Sequence, residues 1–333
     1  MHDAELRGNQ LGKTVSQKNV KALYENAPYP DLGAALKDPR SMIKDIIELL
    51  GCGPDKRLNY LEAGCGTGHY LVAVAKTKPF WTCKGVDLSS ASLDIAQKLS
   101  SKHEVSIEVH QKSYLDRLPF NKNSFDVISA QGTIHHSDNP VGALLNLKKY
   151  LKNGGLISMH LYGKRLDSGK FDLKELISLF QPKLNEHSDR FRIYEALINH
   201  QTTRDTLKKL LDTSLLDILR WARLSFHNIF RRANQVSWSP PWTDTYTSPT
   251  SPWKDHFCHP CERAYEVPDI YKLVSEAGLE IIKMSNQGRV DIELVPKTLR
   301  NEFLRLSVWD QWRFMELMGP PRSFVIYLKK TSS

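Results

Sequence analysis

From Met42 onward the chain alternates between apolar stretches of helical period and short continuous apolar runs. Met42 to Leu50 repeats its apolar residues at helical spacing and stops at Gly51, Gly53 and Pro54, which predicts a helix with a glycine exit. Asn59 to Glu62 reads as the end of a buried strand, and Leu71, Val72, Val74 and Ala75 read as the helix that follows it. Lys84 to Val86 is the second strand. Ser90 to Ser100 is the next helix, with Ile95 and Leu99 four apart and Leu93 and Ala96 three apart on adjoining rows. Val105 to His110 alternates as a strand does, and Phe125 to Ala130 is a short apolar run of the kind buried on both faces. Val141 to Leu151 reads as a helix closed by Asn153-Gly154-Gly155, and Leu156 to Leu161 as a fifth strand. Strands that alternate with helices in this way predict an α/β fold with a parallel, doubly wound sheet.

The alternation stops at Lys164. Up to about Arg263 no strand pattern is visible, and Phe171 to Phe180 and Phe191 to His200 have helical spacing. Asp205 to Phe230 places Leu207, Leu211, Leu215, Ile218, Leu219, Ala222, Phe226 and Phe230 on one broad face. Proline and tryptophan then crowd together; four of the seven tryptophans lie between Trp221 and Trp253. Aromatic residues on a proline-stiffened loop suit an apolar substrate wall, so residues 164–263 are expected to form a helical lid. The core pattern returns with Val267 to Gly278 as a helix, Leu279 to Met284 as a strand, Leu299 to Met318 as one helical segment and Ser323 to Leu328 as the last strand. At the other end, Val20, Leu23 and Tyr24 predict a short helix that stops before Pro28, since a residue preceding proline disfavours helix.

The candidate chemistry lies between the first and second strands. Gly64, Gly66 and Gly68 give a turn free of side-chain obstruction, and Asp87 ends the next strand about 20 residues on, the offset of a ribose-binding carboxylate. A dinucleotide site needs G-x-G-x-x-G, but the third position is His69 counted from Gly64 and Leu71 counted from Gly66. The pattern is acid-x-G-x-G-x-G, with Glu62 at the strand tip. An acid there repels a pyrophosphate and complements a ligand that carries an ammonium and a sulfonium.

On these residues, together with LPFNKNSFDVISAQGTIHHSDNP (Leu118 to Pro140) and LKNGGLISMHLYG (Leu151 to Gly163), the chain resembles the class I methyltransferases that use S-adenosylmethionine. Its segment Y-E-x-x-P-Y-P (Tyr24 to Pro30) resembles the opening of a group of uncharacterised bacterial enzymes of that class. The resemblance implies a Rossmann-like, mostly parallel seven-stranded sheet with an antiparallel last strand. It divides the chain into a cofactor-covering segment (1–40), a core (41–163 and 264–330) and the inserted lid. It places Glu62 near the methionine end of the cofactor and the backbone of Gly64, Cys65, Gly66 and Gly68 close against it. Asp87 would bind the ribose hydroxyls, Leu88 would cover the adenine, and Gln131 and Gly132 would border the methionine. The acid that many members set beside the adenine amino group is missing here; Ser113 stands at that position, Tyr114 next to it, and Asp116 three further on. His135 is the candidate base that would deprotonate an oxygen or nitrogen acceptor; the other reading has one of the pair His135 and His136 only fixing its loop. His160 and Tyr162 are further candidates. Tyr24, Tyr29 and Pro30 either line the mouth of the site or pack as an entry loop.

Composition narrows the picture only slightly. With 41% hydrophobic and 25% charged residues the 333-residue chain is expected to be globular. No apolar run approaches the ~18 residues of a membrane span, and the start, MHDAELRGNQLGK, has no signal-peptide core, so cytoplasmic residence is expected. Five cysteines suit reduced thiols. The net charge of +9 keeps an RNA acceptor open beside a small molecule or a protein, and an inactive cofactor-binding regulator is a further alternative. Ser239-Pro240-Pro241-Trp242 and Pro260-Cys261 match methyltransferase signatures but stand in the wrong part of the fold. His256, Cys258, His259 and Cys261 crowd too closely for a tetrahedral zinc site, and no metal is expected.

Overall fold

The computed structural model describes residues 17–30, 32–164, 174–175, 177, 179–180, 187–199, 259–284, 295–318 and 323–330. Residues 17–26 are helical (α1), followed by α2 (Arg40–Leu50), β1 (Asn59–Ala63), α3 (His69–Thr77), β2 (Thr82–Asp87), α4 (Ser90–Lys102), β3 (Glu108–Gln111) and β4 (Phe125–Gln131). A single 3-10 turn (Ile134–His136) leads to α5 (Pro140–Lys148) and β5 (Leu151–Gly163). Then come α6 (His187–Asn199), β6 (Ala264–Tyr265), α7 (Val267–Glu276), β7 (Leu279–Met284), α8 (Arg300–Arg305), α9 (Val308–Met318) and β8 (Ser323–Lys330).

The strands run in the order β3-β2-β1-β4-β5-β8-β7, with the two-residue β6 paired to β5 off that path. The pairs β1–β2, β1–β4, β2–β3 and β4–β5 are parallel, while β8 is antiparallel to both β5 and β7. The seven-strand sheet with an antiparallel last strand is therefore present, with β6 added to it. Alternate side chains of each strand go to opposite faces, as the two-residue period requires. Leu61, Ile128, Ala130, Ile157, Met159, Phe324 and Ile326 pack in one layer with Leu144, Leu147, Ile270 and Val274 of α5 and α7. Tyr60, Val127, Leu156 and Tyr327 face the other way, onto Met42, Ile46, Leu71, Val74 and Leu93 of α2, α3 and α4.

Among the boundaries that differ from the sequence expectation, three change the reading of an element. Leu151 to Gly155 belongs to β5, not to the end of α5, because Leu151 pairs with Phe125 of β4 across an irregular register. The strand pairing overrides what reads locally as a glycine helix stop. Leu299 to Met318 is two helices broken at Leu306 and Ser307, where the Ser307 hydroxyl accepts from the Asp310 N–H at 3.1 Å and starts the second one. The third strand begins at Glu108 instead of Val105. Of the expected lid, α6 lies where a helix was predicted; Asp205 to Phe230, Ser239 to Trp242, His256 and Cys258 lie outside the described residues.

Candidate active site

Strand order reverses at β1, with β2 and β3 on one side and β4 and β5 on the other. In open α/β sheets that switch point leaves a crevice beyond the carboxyl ends of the strands. A cavity of about 420 Å³ opens there, lined by Glu62 of β1 and Gly64, Cys65 and Gly66 after it, by Asp87 at the end of β2 and Leu88 after it, and by Gln131 at the end of β4 and Thr133 beyond it. The volume is that of a small-molecule site.

Asp87 organises the glycine turn. One of its carboxylate oxygens accepts from the Gly66 N–H at 2.8 Å, and the other accepts from the Ser89 N–H at 2.9 Å. The turn is also held to β2 by Gly64 and Cys65, whose N–H groups donate to the Val86 carbonyl at 2.8 and 3.0 Å. Gly64, Gly66 and Gly68 all have positive φ, of 73, 50 and 77°. Only two of the three border the cavity. Gly68 starts α3, and a Cβ there would come within 2.7 Å of the Ala96 Cβ, so its role is the close packing of α3 on α4. Gly85 gives the same freedom on β2, since a Cβ would meet the Cys65 sulfur at 2.7 Å. An apolar strand pattern gives no hint of that second contact.

Glu62 is 2% exposed, and its Oε2 is a buried atom with no hydrogen-bond partner among the described residues. Burial, and then the nearby Asp87 carboxylate, push its pKa well above the usual carboxylate value. Burial also raises Asp87, against the N–H bonds from Ser89 and Gly66 that lower it. A cationic ligand would relieve both acids at once.

The other predicted residues fall into two groups. Leu88, Tyr114 and Gln131 line the cavity with Glu62 and Asp87. Ser113 does not; it is buried and its hydroxyl accepts from the Leu115 N–H at 3.1 Å, closing the turn before Asp116. His135 is fully buried behind the wall, with Nδ1 3.2 Å from the His160 carbonyl, while His136, His160 and Tyr162 reach the cavity. Burial and Lys37 lower the His160 pKa to about 4, which keeps that ring neutral near pH 7. Val20, Tyr24, Tyr29 and Pro30 complete the lining from the N-terminal side. Lys37, Tyr70 and Thr133 also line it and carried no local sequence signal.

A family profile described as a methyltransferase domain matches residues 54–215, from just before β1 to beyond α6. That match, over just under half of the chain, is to methyltransferases. The chain is 24% identical over 272 residues to an uncharacterised protein of Synechococcus, covering 79% of this chain and 58% of that one. It is 26% identical to malonyl-[acyl-carrier protein] O-methyltransferase 1 of Ilyobacter polytropus, over 44% of this chain and 52% of that protein. Among solved structures, PKMT2 from Rickettsia typhi in complex with AdoHcy shares the fold, with a TM-score of 0.61 at 18% identity, over 87% of this chain and 52% of that one. The chain thus spans little more than half the length of these relatives. Among the described residues, no helix is long and apolar enough to cross a membrane.

Proposed function

We propose that this chain transfers a methyl group from S-adenosylmethionine to an oxygen or nitrogen nucleophile of a small molecule or a protein. The observation that carries the reading is Glu62: a buried carboxylate oxygen without a partner among the described residues, on the wall of a cavity at the switch point of the sheet. Leaving such a group unsatisfied costs about 1–3 kcal/mol or more, and a ligand ammonium offsets that cost. A pyrophosphate does not. The residues therefore fit S-adenosylmethionine, whose amino acid end is cationic where the cavity is acidic.

In this reading Glu62 holds the ammonium, and the backbone of Gly64, Cys65 and Gly66 lies against the ligand. Asp87, already oriented by two N–H groups, accepts from the ribose hydroxyls. Leu88 and Tyr114 flank the adenine, and Gln131 borders the methionine. The bound cofactor supplies an electrophilic methyl carbon; the protein's part is to orient the acceptor and take its proton where it has one. Val20, Tyr24, Tyr29 and Pro30, which line the cavity from the N-terminal side, then cover the cofactor. Relatives named for O-methylation of malonyl-[acyl-carrier protein] support an oxygen acceptor.

Tritium transfer from methyl-labelled cofactor into a cell extract, fractionated into small molecules, protein and RNA, tests the reading. Label is expected in the small-molecule or protein fraction; label in RNA alone would replace the acceptor class. Asp87→Ala removes the acceptor of two turn N–H groups, so S-adenosylhomocysteine affinity by calorimetry should fall by about 10- to 100-fold. Unchanged affinity would remove Asp87 from the site.

A further inference from the structure

Residues 259–263, where the chain returns to β6, pack against the 3-10 turn that follows β4. His136 and His259 stack face to face, with ring centroids 3.8 Å apart and planes 26° from parallel. Nδ1 of His136 lies 3.2 Å from the Cys261 carbonyl oxygen. The Cys261 N–H donates to Nδ1 of His259 at 3.1 Å. Two more bonds hold the segment in place: the Arg263 N–H donates to the His135 carbonyl at 2.9 Å, and Lys174 Nζ donates to the His259 carbonyl at 2.9 Å. The Tyr24 ring of α1 rests 5.7 Å from His259.

These bonds assign the hydrogens. A carbonyl oxygen only accepts, so Nδ1 of His136 carries its hydrogen, and in the neutral ring the lone pair is on Nε2. A backbone N–H only donates, so Nδ1 of His259 holds the lone pair and that ring is the opposite, neutral tautomer. His259 is thus a neutral aromatic face beside His136, and such a face favours a cation stacked on it. The Cys261 carbonyl, fixed on the other ring nitrogen, favours the same cation. His136 is the one of the two neighbouring histidines that reaches the cavity.

We infer that His136, not His135, is the base that takes the acceptor's proton, and that His259 is the positioning residue that fixes its tautomer. The inference rests on the methyl-transfer reading of the same cavity. As the acceptor oxygen or nitrogen forms its bond to the methyl carbon, the carbon–sulfur bond breaks and its electron pair stays on sulfur. The acceptor's proton passes to Nε2 of His136, giving an imidazolium stacked on His259, and solvent later removes it. The acceptor class is therefore a hydroxyl, phenol or amine, a group with a proton to lose.

The full chain labelled with 15N-histidine provides a test that needs no acceptor. Spectra of the wild type, assigned with His136→Gln and His259→Phe, should show His136 and His259 in opposite neutral tautomers at neutral pH; the same tautomer in both would overturn the assignment. His259→Phe keeps a ring to stack on but loses the Cys261 contact, and His136 should then become a tautomer mixture; an unmoved His136 would remove His259 as its positioning residue. In the extract assay, His136→Gln should slow label transfer by at least about 100-fold, with S-adenosylhomocysteine affinity within about twofold of wild type. Transfer at the wild-type rate in His136→Gln would overturn the inference and leave methyl transfer standing, as for a carboxylate acceptor that is already an anion. A wild-type chain that binds no cofactor and labels no fraction overturns the methyl-transfer reading and this inference with it.

Discussion

The two sides of the cavity are built differently. Most of the side we assign to the cofactor comes from one continuous stretch, Glu62 to Leu88, in which β1, the glycine turn, α3 and β2 follow each other directly, with Tyr114 and Gln131 added to it. The side we assign to the acceptor is assembled from the turn after β4, the end of β5 and the segment that returns to β6, and α1 lies over both sides. The first depends on backbone geometry, which a few glycines and one aspartate can specify. The second depends on side chains brought together from distant parts of the chain. A methyltransferase can therefore change its acceptor by altering the second side while the first stays as it is.

The sharpest way to break that contrast is to put a side chain into the turn. Gly68→Val forces a β-branched residue to φ 77° and drives its Cβ against Ala96 of α4 at 2.7 Å. Left-handed backbone costs about 1–2 kcal/mol and overpacking about 1–3 kcal/mol. Urea unfolding should show a stability loss of about 2–5 kcal/mol, read as a lower midpoint at unchanged slope. Gly132→Ala makes the matched comparison after β4, where φ is 73° but no atom lies within 4 Å of the added Cβ. It should lose only the backbone part, about 1–2 kcal/mol. Equal losses at both positions would mean that α3 and α4 yield as freely as an open loop.

A smaller effect separates the acid from its scaffold. Glu62 in the ligand-free fold holds its proton above the ordinary 4.5, because burial and Asp87 disfavour the charge. Unfolding frees the carboxyl to ionise, so this group makes the ligand-free fold lose stability as pH rises from about 4.5 towards its raised pKa. A cationic ligand favours the ionised form, so cofactor affinity should rise with pH over the same window. Calorimetry with S-adenosylhomocysteine should detect proton release as a dependence of the heat on the buffer's ionisation enthalpy. Glu62→Gln should remove both slopes and weaken binding by about 10- to 100-fold. Binding that is independent of pH in the wild type would disconnect Glu62 from the ligand.

The same division explains what the sequence made legible. Buried parallel strands read as continuous apolar runs, which is why Phe125 to Ala130 and the alternation of strands and helices around it could be recognised. The glycines and Asp87 were legible because their spacing is itself the geometry. Leu151 to Gly155 misled because Lys152-Asn153-Gly154-Gly155 has the local chemistry of a helix stop, while pairing with Phe125 decides its state. His135 and His136 are neighbours in one 3-10 turn, and nothing local tells which ring meets the cavity. The return of His259 and Cys261 from a distant part of the chain distinguishes them. Lys37 was silent for the same reason.

The smallest expected effect lies where the two sides meet. Glu25 on α1 accepts from the Ser90 N–H at 2.9 Å, the Ser90 hydroxyl at 3.1 Å and the Ala91 N–H at 3.1 Å, so its carboxylate caps the first turn of α4. Partial burial raises its pKa, but the bonds from Ser90 and Ala91 outweigh that and hold it below the usual value. The clasp is thus fully made above about 4.5 and is lost as pH falls through the lowered pKa. It holds Val20 and Tyr24, which line the cavity, against the same strand end that carries Asp87 and Leu88. A charge at a helix N-terminus is worth about 0.3–1 kcal/mol when exposed. In Glu25→Gln, stopped-flow measurements should show S-adenosylhomocysteine leaving about two- to fivefold faster, with the unfolding midpoint almost unmoved. An unchanged off-rate would mean that the ligand leaves without α1 lifting, and that α1 belongs to the acceptor side alone.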